Sequence, residues 1–167
     1  MKLLIIKRAI FLFDGMEFPG VDQRFGDITE YGCANITDAR ALASTLIDGP
    51  MKVAVYRDDW KQFWLKDLSK SNIEKPSADS ACTIFYYKHP ERNIVETQGI
   101  DQFGGDIGDY ICLNIAVARA LAYSLIDRPT KAGTYSDEWK KFWLKDLSRS
   151  DICGPSVNCR CTTFYFK

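Results

Sequence analysis

The chain repeats itself. Shifted by 79 residues, the 167-residue sequence aligns with itself without a gap, and about 41 of 75 aligned pairs are identical. Gly20, Val21, Asp22 and Gln23 meet Gly99, Ile100, Asp101 and Gln102. The run Phe63 to Ser69 meets Phe142 to Ser148 without a mismatch. Whatever one copy folds into is therefore present twice. The polar stretch Lys88-His89-Pro90-Glu91 suits a short linker. It divides the chain into a first module, residues 1–88, and a second, residues 89–167.

Each copy carries one helical pattern. Ala39, Leu42, Ala43, Leu46 and Ile47 fall at i, i+3, i+4, i+7 and i+8, one apolar face of a helix. Asn35 is placed to cap it, with Asp38 as reciprocal acceptor, and Gly49-Pro50 stops it. In the second copy Asn114 caps, Leu121, Leu125 and Ile126 repeat the face, and Pro129 follows. The remainder reads as strands. Lys52 to Tyr56, Phe63 to Leu68 and Cys82 to Tyr87 are rich in β-branched and aromatic residues. In the last, Cys82, Ile84 and Tyr86 point one way and Thr83, Phe85 and Tyr87 the other. Short strands around one helix predict an α+β fold, two tandem modules, each an antiparallel β-sheet packed on one α-helix.

The formal net charge is zero. No basic surplus faces phosphates, which argues against a nucleic-acid partner. No apolar run reaches about 18 residues, so no membrane insertion is expected. Leu3 to Ile6 and Ala9 to Phe13 are too short and interrupted for a signal h-region, and Leu3 to Ile6 reads better as a strand. By the same shift Leu3 to Ile6 aligns with Cys82 to Phe85. An extra strand there would offer an edge for pairing with a second copy, a route to a homo-oligomer.

Modules of this size are marginal on core burial alone, so cross-links would help. Cys33 and Cys112 are repeat equivalents, as are Cys82 and Cys161. The simplest pairing is Cys33–Cys82 and Cys112–Cys161, with Cys153–Cys159 as an extra bridge in the second module. Such a framework implies an oxidising compartment and a secreted or extracellular protein. Free buried thiols are the alternative. Zinc bound by Cys153, Cys159 and Cys161 fits no common spacing, and His89 is the one histidine.

No nucleotide, phosphate-loop or metalloprotease motif is present, and His89 lacks a counterpart in the other copy. Asp22 with Asp27, and Asp101 with Asp106, read as turn residues rather than a carboxylate pair for glycoside chemistry. No catalytic residue, metal or cofactor is expected. Binding residues stand out more. Trp60 and Trp139 follow the acidic pairs Asp58-Asp59 and Asp137-Glu138 between two strands, with Tyr56 and Tyr135 nearby. Tyr56, Asp58 and Trp60, and Tyr135, Asp137 and Trp139, are the candidate ligand-binding residues. An exposed indole beside carboxylates suits a sugar, stacking on its apolar face and accepting from its hydroxyls. In the other reading Trp60 covers the edge of the core. Trp64 and Trp143, within a strand, are expected in the core. Asn35-Ile36-Thr37 matches a glycosylation acceptor, but the same asparagine is needed as a cap.

Gly20-Val21-Asp22, Gly26-Asp27-Ile28, the helix and Trp64-Leu65-Lys66 together resemble the PAN/apple module. The same pieces recur from Gly99 to Lys145. The resemblance implies a curved antiparallel sheet holding one helix. It also implies recognition rather than catalysis, since such modules mediate protein–protein and protein–carbohydrate contacts outside cells, and some tandem members are lectins. Phe63 and Phe142 stand where members usually carry a cysteine, so packing must hold the helix here. The expected partner is a glycan, bound at one weak site per module with avidity from the pair. The alternative is an extracellular protein, or a second copy of the chain in a structural or adhesive assembly.

Overall fold

A computed structural model describes residues 13–89 and 93–167. The N-terminal strand expected at Leu3 to Ile6 lies outside them. The chain divides into two compact units between His89 and Pro90.

The first unit runs β1 (Met16–Asp22), β2 (Asp27–Gly32), α1 (Ile36–Leu46), β3 (Lys52–Arg57), β4 (Gln62–Asp67) and β5 (Ser77–Tyr86). Its five strands form one antiparallel sheet in the order β1-β5-β3-β4-β2. The second unit repeats it as β6 (Ile94–Gln102), β7 (Asp106–Ile111), α2 (Ile115–Leu125), β8 (Lys131–Ser136), β9 (Lys141–Asp146) and β10 (Pro155–Phe166). Its order is β6-β10-β8-β9-β7.

Helix α1 begins where the sequence says it should. Asn35 Oδ1 accepts from Asp38 N at 3.0 Å, and Asn35 Nδ2 donates to Asp38 at 3.2 Å. A glycan on Asn35 would take the atom that makes this second bond. In α2 Asn114 accepts from Val117 N at 3.0 Å. Ala39, Leu42, Ala43 and Ile47 share one buried cluster with Ala54, Tyr56, Phe63, Leu65 and Phe85. The alanines remove side-chain bulk at this contact. Val53, Val55, Ile84 and Tyr86, which alternate with the sheet residues of that cluster, are buried as well. The sheet is thus apolar on both faces at its centre.

Two further devices recur in both units. Gly20 and Gly99 have left-handed backbones (φ 76° and 73°) at breaks in the β1–β5 and β6–β10 register. There residues 79–82 of β5 and 158–161 of β10 loop out of their pairing with the edge strand. The second device is a fork from helix to edge strand. Arg40 donates twice to Glu17, at 2.9 Å each, and Arg119 twice to Glu96, at 2.8 and 3.0 Å. These pairs are partly exposed, so a double-mutant cycle of Arg40→Ala with Glu17→Ala in urea unfolding should give a coupling of about 0.5–1 kcal/mol. Arg40→Lys should not restore it, because lysine lacks the planar fork. A coupling near zero would mean the helix is placed by packing alone.

The predicted disulfides are not formed: all six cysteines are free thiols. Sheet geometry gives the reason for Cys33–Cys82. Cys33 packs in the helix-side cluster with Tyr56 and Phe63. Cys82 sits two and four residues from Ile84 and Tyr86, on the opposite face from Phe85, beside Arg57 and Asp79. The sheet separates the two sulfurs. The same holds for Cys112–Cys161, where Cys161 lies against Ser136 and Asp101. For Cys153–Cys159, Pro155 to Cys159 alone lies within extended β10. Cys153 is tied to the β6–β7 turn, its N donating to Phe103 O at 2.9 Å, while Cys159 lies in the looped-out segment 158–161. Packing and ion pairs hold these modules.

Candidate functional site

The β3–β4 hairpin turns through Asp58, Asp59, Trp60 and Lys61. Lys61 takes a left-handed backbone (φ 51°), as does Lys140 in the second module (φ 50°). The turn is tied on both sides: Asp58 N donates to Ala81 O at 2.9 Å and Cys33 N to Lys61 O at 2.8 Å. The result is an indole held out in solvent. Trp60 is 65% exposed and Trp139 67%.

The candidate residues separate at this point. Tyr56 is buried on the helix side, and its hydroxyl donates to Asp58 at 2.7 Å, which also pairs with Lys61 at 2.8 Å. Burial and the Asp58 charge push the Tyr56 phenol well above its ordinary pKa, and Lys61 with Tyr56 draws Asp58 below its own. Tyr135, Asp137 and Lys140 repeat this arrangement. Tyr56 and Asp58, like Tyr135 and Asp137, fasten the turn. Trp60 and Trp139 project from it.

Trp60 meets another set of residues. Its ring stands edge-on to Trp64, with centroids 6.0 Å apart, and the Arg57 guanidinium carbon lies 4.4 Å from its centroid. Trp64, half-buried, faces away from the helix because it pairs across β3 with Val55, not Ala54. A cleft of about 390 Å³ opens there. Trp60, Trp64 and Phe25 give it aromatic walls; Asp22, Asp27, Arg24, Arg57 and Lys66 give it charge, and Cys82 also lines it. Trp139 and Trp143 repeat the edge-on pair at 5.6 Å.

Most of these charges are already matched. Lys66, only 4% exposed, donates to Asp27 at 2.5 Å and to Phe25 O at 3.2 Å. Lys145 does the same with Asp106 and Gly104 O. Arg57 pairs with Asp59 and Asp79, each at 2.8 Å. Asp22, Asp79 and Cys82 are grouped with ligand atoms within 4.8 Å of one another. The guanidinium lies 4.0 Å from the Cys82 sulfur and on Asp79, so it supplies positive charge to that group.

A larger cavity, about 540 Å³, opens at the end of the second sheet between Ile115, Arg119, Glu138 and the segment Cys159 to Thr162. Its walls are polar and pair among themselves: Arg160 with Glu138 at 2.6 Å, and Tyr135 with Asp137. It lacks the exposed aromatic surface of the tryptophan cleft, which combines flat apolar rings with convergent polar groups.

The cleft residues missed by the sequence reading are Trp64 and Arg57 with the β1–β2 turn. Strand alternation put Trp64 on one face, but the face carrying the helix was not legible. Arg57 is replaced by Ser136 in the second copy, so the repeat gave no signal for it.

Two antiparallel five-stranded sheets, each with one helix inserted in sequence between an edge strand and the central hairpin, give two tandem modules of apple-like fold. No protein-family model matches the chain, and no curated protein matches it. Among solved structures it is similar to the two N-terminal apple domains of Toxoplasma gondii microneme protein 4, with a TM-score of 0.53 and 14% identity. The likeness covers 86% of this chain and 84% of that one.

Proposed function

We propose that the chain is a non-enzymatic recognition protein whose two modules each bind a saccharide at the paired-tryptophan cleft, on extracellular or cell-surface glycans. The observation that carries this reading is the exposed Trp60 held edge-on to Trp64 and bordered by carboxylates, with the same pair at Trp139 and Trp143. Exposed tryptophan is costly on a surface with no partner. The tied hairpin keeps its ring oriented before any ligand arrives, which lowers the entropy lost on binding. Carboxylates such as Asp22 and Asp27 accept from sugar hydroxyls, and flat indoles take the apolar face of the ring. The helix-backed sheet serves as rigid support. The microneme protein with this fold suits a surface or secreted role. Two weak sites on one chain gain from a repeated ligand.

A glycan array on the purified chain tests it. Binding to one family of sugars should be retained, at reduced avidity, by Trp60→Ala or Trp139→Ala and lost in the double variant. Array binding that survives the double variant would place the site elsewhere. A second reading, protein binding at a sheet edge, is favoured by Ile111 and Leu113, which leave apolar side chains exposed at edge strand β7 where the first module has Gly32 and Ala34.

A further inference from the structure

The two tryptophan pairs stand on the same frame but among different neighbours. Arg57 is answered by Ser136, Arg24 by Phe103 and Phe25 by Gly104. In the first module Arg57 lies over Trp60; in the second, Ser136 accepts a hydrogen bond from Trp139 N at 3.4 Å. Arg24 is exposed at the rim, and its ion-pair contact among the described residues, Asp22 at 3.8 Å, is too long for a hydrogen bond. Among the described residues its guanidinium makes only that long contact, while Arg57 keeps donors beyond those used on Asp59 and Asp79.

Phe25 adds a second, independent observation. It holds a left-handed backbone (φ 59°) with its ring 53% exposed. That conformation strains a phenylalanine and burial does not repay it. The second module keeps the backbone but removes the side chain, with Gly104 at φ 72°. A Cβ there would come within 2.0 Å of Asp151 O. The first module thus retains a strained aromatic beside an exposed, weakly paired cation at the mouth of the cleft.

We propose that the clefts have diverged in ligand class: the first selects a saccharide bearing an anionic group, carboxylate or sulfate, and the second a neutral one. Arg24 and Arg57 meet the anion, as guanidinium groups do through paired N–H donors, and Phe25 with Trp60 flanks the sugar ring. This inference rests on the saccharide reading above, and the two fail differently.

The test is an array holding neutral oligosaccharides beside their sulfated and their sialylated or uronic-acid counterparts. Trp139→Ala protein, left with the first cleft, should bind charged members about ten-fold tighter than neutral ones, a preference that shrinks with added salt. Trp60→Ala protein, left with the second cleft, should show no such preference. Placing Arg24→Phe and Arg57→Ser on the Trp139→Ala protein should bring the ratio of charged to neutral binding close to one. Arg24→Phe alone, which leaves the Arg57 pairs intact, should remove part of the preference, so a folding defect cannot mimic the result. A preference for sulfate alone or for carboxylate alone supports the proposal and names the anion. Equal binding of charged and neutral members by Trp139→Ala protein overturns it. A blank array from wild-type protein that melts cooperatively overturns the saccharide reading, and this proposal with it.

Discussion

Phe63→Ala is expected to unfold the first module and leave the second standing. Phe63 is fully buried and meets Tyr31 and Phe85 at centroid distances of 6.3 and 6.4 Å. Its ring joins the helix residues Ala39, Leu42 and Ala43 in one buried cluster. Truncating such a phenylalanine costs about 3–5 kcal/mol. A domain of this length holds about 4–11 kcal/mol, so most of its stability goes. The second module has its own ring stack, Phe142 on Phe164 at 6.1 Å and on Tyr110 at 6.4 Å. Calorimetry should therefore show a transition lost or moved far down and another unchanged. A single transition, shifted as a whole, would mean the modules do not unfold independently.

The second large effect concerns the thiols. Burial pushes Cys33 up to about 11 and Cys82 and Cys112 up to about 12, and it raises Cys161 as well. The thiolate is the reactive form. At neutral pH the first three should therefore react with a thiol reagent about a hundred-fold or more slowly than a free cysteine, before steric protection is added. Native protein should titrate two fast thiols, the exposed Cys153 and Cys159, and six after denaturation. Fewer than six in denatured, unreduced protein would show that bridges form. The same shifts set an alkaline limit. The folded state keeps these thiols neutral, so their contribution is complete below pH 9, where the unfolded thiols begin to ionise. It is lost as pH rises through about 11–12. Thermal stability should accordingly fall above pH 9, and a cysteine-to-serine change at exposed Cys159 should leave that fall unaltered.

The duplication, both helices and the central strands were legible because each rests on local chemistry. Asn35 and Asn114 cap as their side chains dictate, and strands near Lys52, Phe63 and Cys82 follow from β-branched and aromatic runs. The edge strands were not legible. In β1, Pro19 and Gly20 interrupt the alternation, and β2 is half exposed with little apolar signal. Disulfide pairing failed because matching positions in a repeat carry no information about faces of a sheet. The candidate trio Tyr56, Asp58 and Trp60 was contiguous in sequence, yet alternation sends Tyr56 into the core while the turn carries Trp60 out. Trp64, expected in the core, is only half-buried because the cleft opens above it. Arg57 joins Trp60 through a contact that depends on turn geometry.

All four tryptophans of the chain, Trp60, Trp64, Trp139 and Trp143, belong to the two edge-on pairs. The most direct measurement is therefore a ¹H–¹⁵N spectrum of the four indole N–H groups, recorded while a saccharide that binds on the array is titrated in. A saturable shift of the Trp60 and Trp64 signals, the Trp139 and Trp143 signals, or both pairs, is the result expected of paired-tryptophan binding sites. A saccharide that binds while all four indole signals stay still would contradict it.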